Sequence, residues 1–149
     1  MRMISRRMAL AGLLLLAACG AAEKPQRGPQ QAGSPEVMRL ITDYARHYQM
    51  PEELVHRMVR RESGYNPGAR NGPYYGLLQI HPQTARTMGF RGEPSELLDA
   101  ETNLKYAGKY LRGAYLVARG DHDRAEMWYA KGYYYEAKRM GLLDATGLR

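Results

Sequence analysis

The sequence predicts a mainly α-helical domain, and three observations support this fold class. Apolar residues recur at steps of three and four along several segments, as on one face of a helix. Ser, Asp and Pro stand where these segments begin, as they commonly do at helix starts. No sustained alternation of apolar and polar residues predicts a long strand, although the turn-rich stretch between Tyr65 and Ile80 leaves room for a small β-hairpin.

The individual helices are predicted from their caps and breakers. The first begins at Pro35, with Ser34 as its N-cap. The second begins at Pro51 and ends around Ser63 and Gly64. The remaining segments are a short helix from Pro82 to Gly89, one turn from Glu93 to Leu98, a long helix from Asp99 to about Ala118, and one or two helices between Arg124 and Met140 around Gly132.

The N-terminus has the pattern of a secretory signal. Three arginines precede an apolar run at residues 8–16, and this run is too short to remain in a bilayer as a spanning helix. The five residues 16–20, Leu-Ala-Ala-Cys-Gly, resemble the lipobox of bacterial lipoproteins, which implies cleavage after residue 18 and lipidation of Cys19. We therefore expect an exported, periplasmic protein that a lipid anchors to a membrane. Gly20 in place of Asp after the cysteine favours the outer membrane.

Three regions follow from this pattern. Residues 1–18 are predicted to be a lipoprotein signal peptide, and residues 19–34, rich in Ala, Gly, Pro and Gln, a lipid-anchored flexible linker. Residues 35–149 are long enough for a single folded domain. Loss of the three signal-peptide arginines lowers the formal net charge from +7 to +4. A mildly basic exported domain suits an anionic polymer, and export excludes nucleic acid as a partner.

Glu62 is the candidate catalytic residue because of its position on the second helix. Leu54, Met58 and Glu62 are spaced at i, i+4 and i+8, so the carboxyl shares the apolar stripe of the helix. Burial and the negative end of the helix dipole both raise the pKa of a carboxyl at this position, and a protonated carboxyl can donate to a leaving glycosidic oxygen. From spacing alone the commoner alternative stays open: a carboxylate that borders solvent or pairs with a nearby arginine.

Several motifs follow one another between about Glu53 and Gly132. They are Glu62-Ser63-Gly64-Tyr65-Asn66-Pro67, Gly76-Leu77-Leu78-Gln79-Ile80, Pro82-Gln83-Thr84-Ala85, Asn103 followed by Tyr110-Leu111, and Trp128-Tyr129-Ala130-Lys131-Gly132. Each motif alone is weak, but together and in this order they resemble the soluble lytic transglycosylase domain family. The resemblance implies a lysozyme-like, mainly helical fold with a groove for a glycan strand, so that residues 35–149 would be a catalytic domain of this kind.

The resemblance also implies roles for four residues. Glu62 matches the catalytic Glu of the family, and Ser63 matches the adjacent Ser, which is expected to position the acid or the bound sugar. Gln79 is expected to lie in the groove, and Tyr129 is expected to hydrogen-bond near the catalytic carboxyl. Ala130 departs from the pattern, since Asn is usual there and Ala offers neither donor nor acceptor.

The activity that the resemblance implies is cleavage of the MurNAc–GlcNAc bond of peptidoglycan without water. Glu62 would protonate the leaving oxygen, and the N-acetyl carbonyl of the muramyl residue would stabilise the cationic centre. Glu62 would then take the proton of the C6 hydroxyl, which closes to a 1,6-anhydro product. No cofactor is expected, and no metal either, since none of the four histidines has a second ligand at metal spacing.

Two alternatives to this activity stay open. A muramidase that hydrolyses the same bond needs a second carboxylate, for which Glu93, Glu96 and Glu101 are the candidates. A non-catalytic peptidoglycan-binding lipoprotein would keep the groove without the chemistry, and the departure at Ala130 makes this conceivable.

Overall fold

The computed structural model describes residues 30–149. This part of the chain is mainly helical, with one small antiparallel sheet, and so confirms the predicted fold class. The predicted signal peptide, Cys19 and the linker up to residue 29 lie outside the described residues. The elements in chain order are α1 (Pro35–His47), α2 (Glu52–Ser63), β1 (Arg70–Asn71), β2 (Tyr74–Tyr75), α3 (Pro82–Thr87), a 3-10 helix (Pro94–Leu98), α4 (Ala100–Val117), α5 (His122–Lys131), α6 (Tyr134–Arg139) and α7 (Leu143–Thr146).

Side-chain caps fix where several helices begin. Ser34, Asp99 and Asp121 each accept a hydrogen bond from the backbone N–H three residues further on, at 3.3, 2.8 and 2.8 Å. Each bond satisfies one of the backbone donors that a helix N-terminus leaves without an intrahelical partner. The imidazole of His81 caps α3 in a similar way, since its Nδ1 accepts from the N–H of Gln83 at 3.0 Å.

Helix α4 lies at the centre of the packing, where it contacts α1, α3, α5, α7 and the 3-10 helix. Its predicted apolar face is fully buried at Leu104, Ala107, Leu111 and Ala114. Burial of apolar surface stabilises a fold by about 25 cal/mol per Å², so this face is a main source of stability. None of the helices in residues 30–149 combines the length and the apolar character needed to cross a membrane.

The connection between α2 and α3 contains a small hairpin, for which the sequence leaves room. Strand β1 pairs antiparallel with β2, with Arg70 opposite Tyr75 and Asn71 opposite Tyr74. Tyr75 also exchanges two backbone hydrogen bonds with Ile80, both at 3.1 Å. This second pairing closes residues 76–79 into a short loop, and this loop carries Gln79.

Asn103 of α4 holds the 76–79 loop in place. Its side chain is fully buried; Nδ2 donates to the carbonyls of Tyr75 and Leu97 at 2.8 and 2.9 Å, and Oδ1 accepts from the N–H of Leu78 at 3.0 Å. Gly76 lies against this amide with a φ of +75°, and a Cβ there would overlap the Leu97 carbonyl oxygen and the Asn103 side chain. The loop therefore depends on a glycine at this residue, both for its backbone angle and for its space.

The last residues of the predicted linker already contact the domain. The N–H of Gly33 donates to the carbonyl of Tyr65 at 3.1 Å. The side-chain oxygen of Gln30 accepts from the N–H of Ala100, at the start of α4, at 2.7 Å. The described part of the linker thus rests on the folded domain rather than leaving it directly.

Candidate active site

Glu62 lies in the last turn of α2, next to the final residue of that helix, and its side chain is 24% exposed. Burial raises the pKa of this carboxyl above its ordinary value. The guanidinium of Arg61 opposes that rise, and the negative charge of Glu126 adds to it. The direction of the shift is the one that the position of Glu62 on the apolar stripe predicts.

Two arginines of α2 bind a single carboxylate of α5 beside Glu62. The Glu126 side chain is 11% exposed; its Oε2 accepts from Nη2 of Arg57 at 2.6 Å, and its Oε1 accepts from Nη1 of Arg61. The Nε of Arg61 stands 3.9 Å from Oε1 of Glu62, beyond the range of a hydrogen bond. The close partner of Arg61 is therefore Glu126, and Glu62 borders this pair without joining it.

Tyr129 of α5 bonds to the 76–79 loop and lies within electrostatic reach of Glu62. Its hydroxyl donates to the carbonyl of Leu78 at 2.7 Å. Burial raises the pKa of this phenol well above its ordinary value, and the nearby charge of Glu62 raises it further. The Tyr129 hydroxyl has a single hydrogen, and the carbonyl of Leu78 accepts it. The Tyr129 oxygen can therefore accept a hydrogen bond from a protonated Glu62 but cannot also donate one to an ionised Glu62.

Gln79 and Ser63 both use their hydrogens on the protein itself. The Gln79 amide nitrogen donates to the carbonyls of Ala69 and Gly76 at 3.1 and 2.9 Å, which fixes the amide orientation because only the nitrogen can donate. The Ser63 hydroxyl donates to the carbonyl of Val59 one turn earlier at 3.1 Å. What each side chain can still offer a ligand is an acceptor oxygen.

A groove of about 490 Å³ runs beside this loop and the end of α5. Gln79, Tyr129 and Ala130 are among its lining residues. Glu62 and Ser63 are not. Tyr129 connects the groove with Glu62, because it lines the groove and the charge of Glu62 raises its pKa.

The groove also carries aromatic and basic side chains that suit an anionic glycan. Tyr74 and Tyr134 line it, and each is 45% exposed although aromatic side chains usually lie inside. Lys131, next to the departure at Ala130, adds an exposed cation. Of the three consecutive tyrosines, Tyr133 packs in the core and Tyr134 faces the groove.

The carboxylates considered for a hydrolytic mechanism and the carboxylate found beside Glu62 are different residues. Glu96 accepts a hydrogen bond from the backbone N–H of Glu93 at 2.9 Å, and this bond caps the 3-10 helix. Glu126 affects the pKa of Glu62, and no motif of the sequence marks this residue. In residues 30–149 no group of three or more His, Cys, Asp and Glu side chains gathers closely enough to hold a metal ion.

Comparison with known proteins gives two matches, one to a family model and one to a curated protein. The family model described as "Transglycosylase SLT domain" matches residues 39–140. Among curated proteins, the "Membrane-bound lytic murein transglycosylase E" of Buchnera aphidicola subsp. Acyrthosiphon pisum (strain APS) is 35% identical over 80 residues, which are 48% of this chain and 36% of that protein. The chain thus matches only about a third of the length of this relative. No solved structure matches the chain.

Proposed function

Because the chain belongs to the transglycosylase SLT domain family, we propose that it is a lytic transglycosylase that cleaves the MurNAc–GlcNAc bond of peptidoglycan. The observation that carries this proposal is Glu62, a half-buried carboxyl whose pKa is raised by burial, near a groove lined with tyrosines. The curated relative is named a lytic murein transglycosylase, which supports the same activity.

In the first step, protonated Glu62 acts as the general acid. It donates its proton to the glycosidic oxygen as the bond from this oxygen to C1 of the muramyl residue breaks. The raised pKa of Glu62 supports this role, because the carboxyl must still hold its proton near the working pH. The acetamido carbonyl oxygen of the muramyl residue stabilises the positive charge at C1, so no carboxylate of the protein is needed for that purpose.

In the second step, ionised Glu62 acts as the general base. It takes the proton of the C6 hydroxyl of the same muramyl residue, and the C6 oxygen forms a bond to C1. The product is a 1,6-anhydro sugar, Glu62 regains its proton, and no water is consumed. Among the residues proposed to bind the glycan, Ser63, Gln79 and Tyr129 offer oxygen atoms as acceptors for the hydroxyl and amide hydrogens of the sugar.

The composition of the groove supports an anionic glycan as substrate. Exposed Tyr74 and Tyr134 offer flat apolar faces for sugar rings, and Lys131 offers a charge for the carboxylates of peptidoglycan. Ala130 leaves the site without the side-chain amide that is usual at this position, so the contacts at this end of the groove rest on its neighbours.

Product analysis of native protein and the Glu62→Gln variant tests the activity. We expect the native protein to release anhydro-muropeptides from purified sacculi, detected by mass spectrometry, and Glu62→Gln to release about a thousandfold less because the general acid is lost. Reducing-end muropeptides without anhydro-muramic acid would instead show a hydrolytic muramidase. Undiminished cleavage by Glu62→Gln, or none by the native protein, would rule out the assigned catalyst and favour the wall-binding alternative.

We further propose the N-terminal organisation that the sequence predicts. Residues 1–18 are a signal peptide, Cys19 carries the lipid, and residues 19–34 tether residues 35–149 to the outer membrane on its periplasmic side. The name of the curated relative, a membrane-bound enzyme, supports membrane association. Mass spectrometry of the mature N-terminal peptide checks this proposal. An unmodified Cys19, or an intact peptide bond between residues 18 and 19, would contradict it.

A further inference from the structure

Glu126 has no part in the two chemical steps, yet its carboxylate is held in an unusual position. A carboxylate that is 11% exposed needs compensating partners, and Arg57 and Arg61 supply them from α2. Glu126 thereby ties α5, which carries Tyr129, to the helix that carries Glu62. Its location beside the candidate acid is a property of this fold, because Glu62 and Glu126 are 64 positions apart in the sequence.

Arg61 lies between two carboxylates and is unequally shared by them. Its Nη1 bonds directly to Glu126, whereas its Nε stays 3.9 Å from Glu62. A direct ion pair with an arginine favours the ionised form of a carboxyl. A guanidinium hydrogen-bonded to Glu62 would therefore keep that residue ionised. An ionised Glu62 has no proton to donate to the leaving oxygen.

We propose that Glu126 is a positioning residue for Glu62: by binding the guanidinium of Arg61, it keeps this cation from pairing directly with the catalytic carboxyl. The inference rests on the proposed function, in which Glu62 must be protonated at the start of each cycle. Arg57 completes the arrangement, because it gives Glu126 a second cationic partner and so helps to hold this side chain in place.

The charged and titratable groups around Glu62 come from two helices. Arg61 and Arg57 lie on α2 itself, and Glu126 and Tyr129 face it from α5. Helix α1 also packs on α2, but its bond from Thr42 reaches Glu52 at the opposite end of that helix. The loop before α3 brings the uncharged Leu78 and Gln79 to this side of the molecule.

The test is the pH dependence of kcat/KM of the full-length protein on purified glycan strands, for Glu126→Gln, Arg61→Gln and the double variant. Glu126→Gln removes a negative charge and frees Arg61 to pair with Glu62. The alkaline limb of the pH profile, where Glu62 loses its proton, is therefore expected to move to lower pH. Arg61→Gln removes the cation and moves that limb to higher pH. The double variant removes both opposing effects and returns the limb towards the native position.

Asp123→Asn is the matched control. Asp123 also binds Arg57, at 2.6 Å, but its side chain is 82% exposed and it does not contact Arg61. The limb of this variant is expected to coincide with that of the native protein. Two results would overturn the proposal: a limb that moves in the same direction in Glu126→Gln and Arg61→Gln, or a limb that Asp123→Asn moves as far as Glu126→Gln does.

A second pair of measurements distinguishes a variant that does not fold from one that folds but has lost its activity. Carbon NMR titration of the Glu62 carboxyl reports its pKa without any substrate, and thermal unfolding shows whether each variant is folded. If Glu126→Gln does not fold, the pKa of Glu62 in Arg61→Gln must rise above the native value, and an unchanged pKa overturns the proposal. If Glu62→Gln still cleaves peptidoglycan, the proposed function fails, and the NMR titration alone then decides whether Glu126 controls the protonation of Glu62.

Discussion

Tyr129 links the two parts of the candidate site, because it lines the groove and lies within electrostatic reach of Glu62. Its hydroxyl holds the carbonyl of Leu78, whose N–H is in turn held by Asn103. Both ends of the Leu78 residue are therefore fixed, and the neighbouring Gln79 is fixed with them. Because Tyr129 also lies close enough to Glu62 for the charge of Glu62 to raise its pKa, its loss should affect chemistry as well as stability.

Tyr129→Phe and Tyr133→Phe separate these two effects. Tyr133 is also buried, and its hydroxyl donates to the carbonyl of Tyr110 at 2.8 Å, but it does not line the groove. Each change removes one hydroxyl hydrogen bond to a backbone carbonyl, which costs about 1 kcal/mol of unfolding free energy, measured by chemical denaturation. We expect kcat to fall about tenfold or more in Tyr129→Phe alone, equivalent to about 1.4 kcal/mol. An equal fall in Tyr133→Phe would assign the effect to a loosened fold.

At this scale a sequence motif marks the candidate residues Glu62 and Tyr129, whereas no motif marks Glu126, whose position depends on packing. Glu62 and Tyr129 each lie in a recognisable motif, and the structure brings the two within electrostatic reach of one another. Glu126 follows Asp123 and Arg124 in a charged segment that is typical of a solvated helix face. Its burial results from the packing of α5 near α2, and a local sequence pattern contains no information about that contact.

At the scale of secondary-structure elements, helix starts are predictable because caps act over three or four residues. Ser34, Asp99 and Asp121 all cap the helices that follow them. Helix α5 begins at His122, two residues before the predicted Arg124, because Asp121 already serves as its cap. Helix α7 was not predicted, since four residues are too few for a periodic pattern to appear.

Gly76 is the residue on which the loop between β2 and α3 depends most, and Gly72 offers a matched control. Both have a positive φ, +75° and +56°, so Ala is strained at either residue. A Cβ at Gly72 meets nothing within 4 Å, whereas one at Gly76 overlaps Leu97 and Asn103. We expect Gly72→Ala to cost about 1 kcal/mol of unfolding free energy, and Gly76→Ala to cost about 3 kcal/mol or more and to abolish cleavage.

Thermal and chemical denaturation of the two variants, with activity measured on the folded fraction, check this prediction. Equal destabilisation by the two changes would contradict the role of the clash, because the backbone strain is common to both. The sequence could indicate a turn here, but the contact with Asn103 of α4 is long-range, and only the structure shows why the glycine is required.

At the scale of the whole molecule, α4 organises the domain, and Glu62 lies on a different helix, in the last turn of α2. The central helix contacts most other elements and is apolar along its buried face. The candidate acid, by contrast, is a carboxyl on an otherwise apolar stripe, and the arginine nearest to it is bound elsewhere. A site arranged in this way supports proton donation at a cost in stability.

Glu62→Gln should therefore stabilise the protein while it removes the activity. The folded state raises the pKa of Glu62, so it binds the proton more strongly than the unfolded chain does. Below its pKa in the unfolded chain, the carboxyl is protonated in both states and causes no loss of folding stability. The loss grows as the pH rises from that value through the pKa of the folded state, and it is complete above it. We expect Glu62→Gln to gain about 1 kcal/mol of unfolding free energy near neutral pH and to lose this advantage in acid.

Denaturant unfolding of both proteins across this pH range measures the difference. Glu53→Gln serves as the control. Glu53 is exposed in the first turn of the same helix, where a negative charge interacts favourably with the helix dipole. That variant is expected to lose a few tenths of a kcal/mol or remain unchanged. A Glu62→Gln variant that is less stable than the native protein at neutral pH would show that the ionised carboxyl is favourably held. Glu126 would then fail to keep Arg61 away from Glu62.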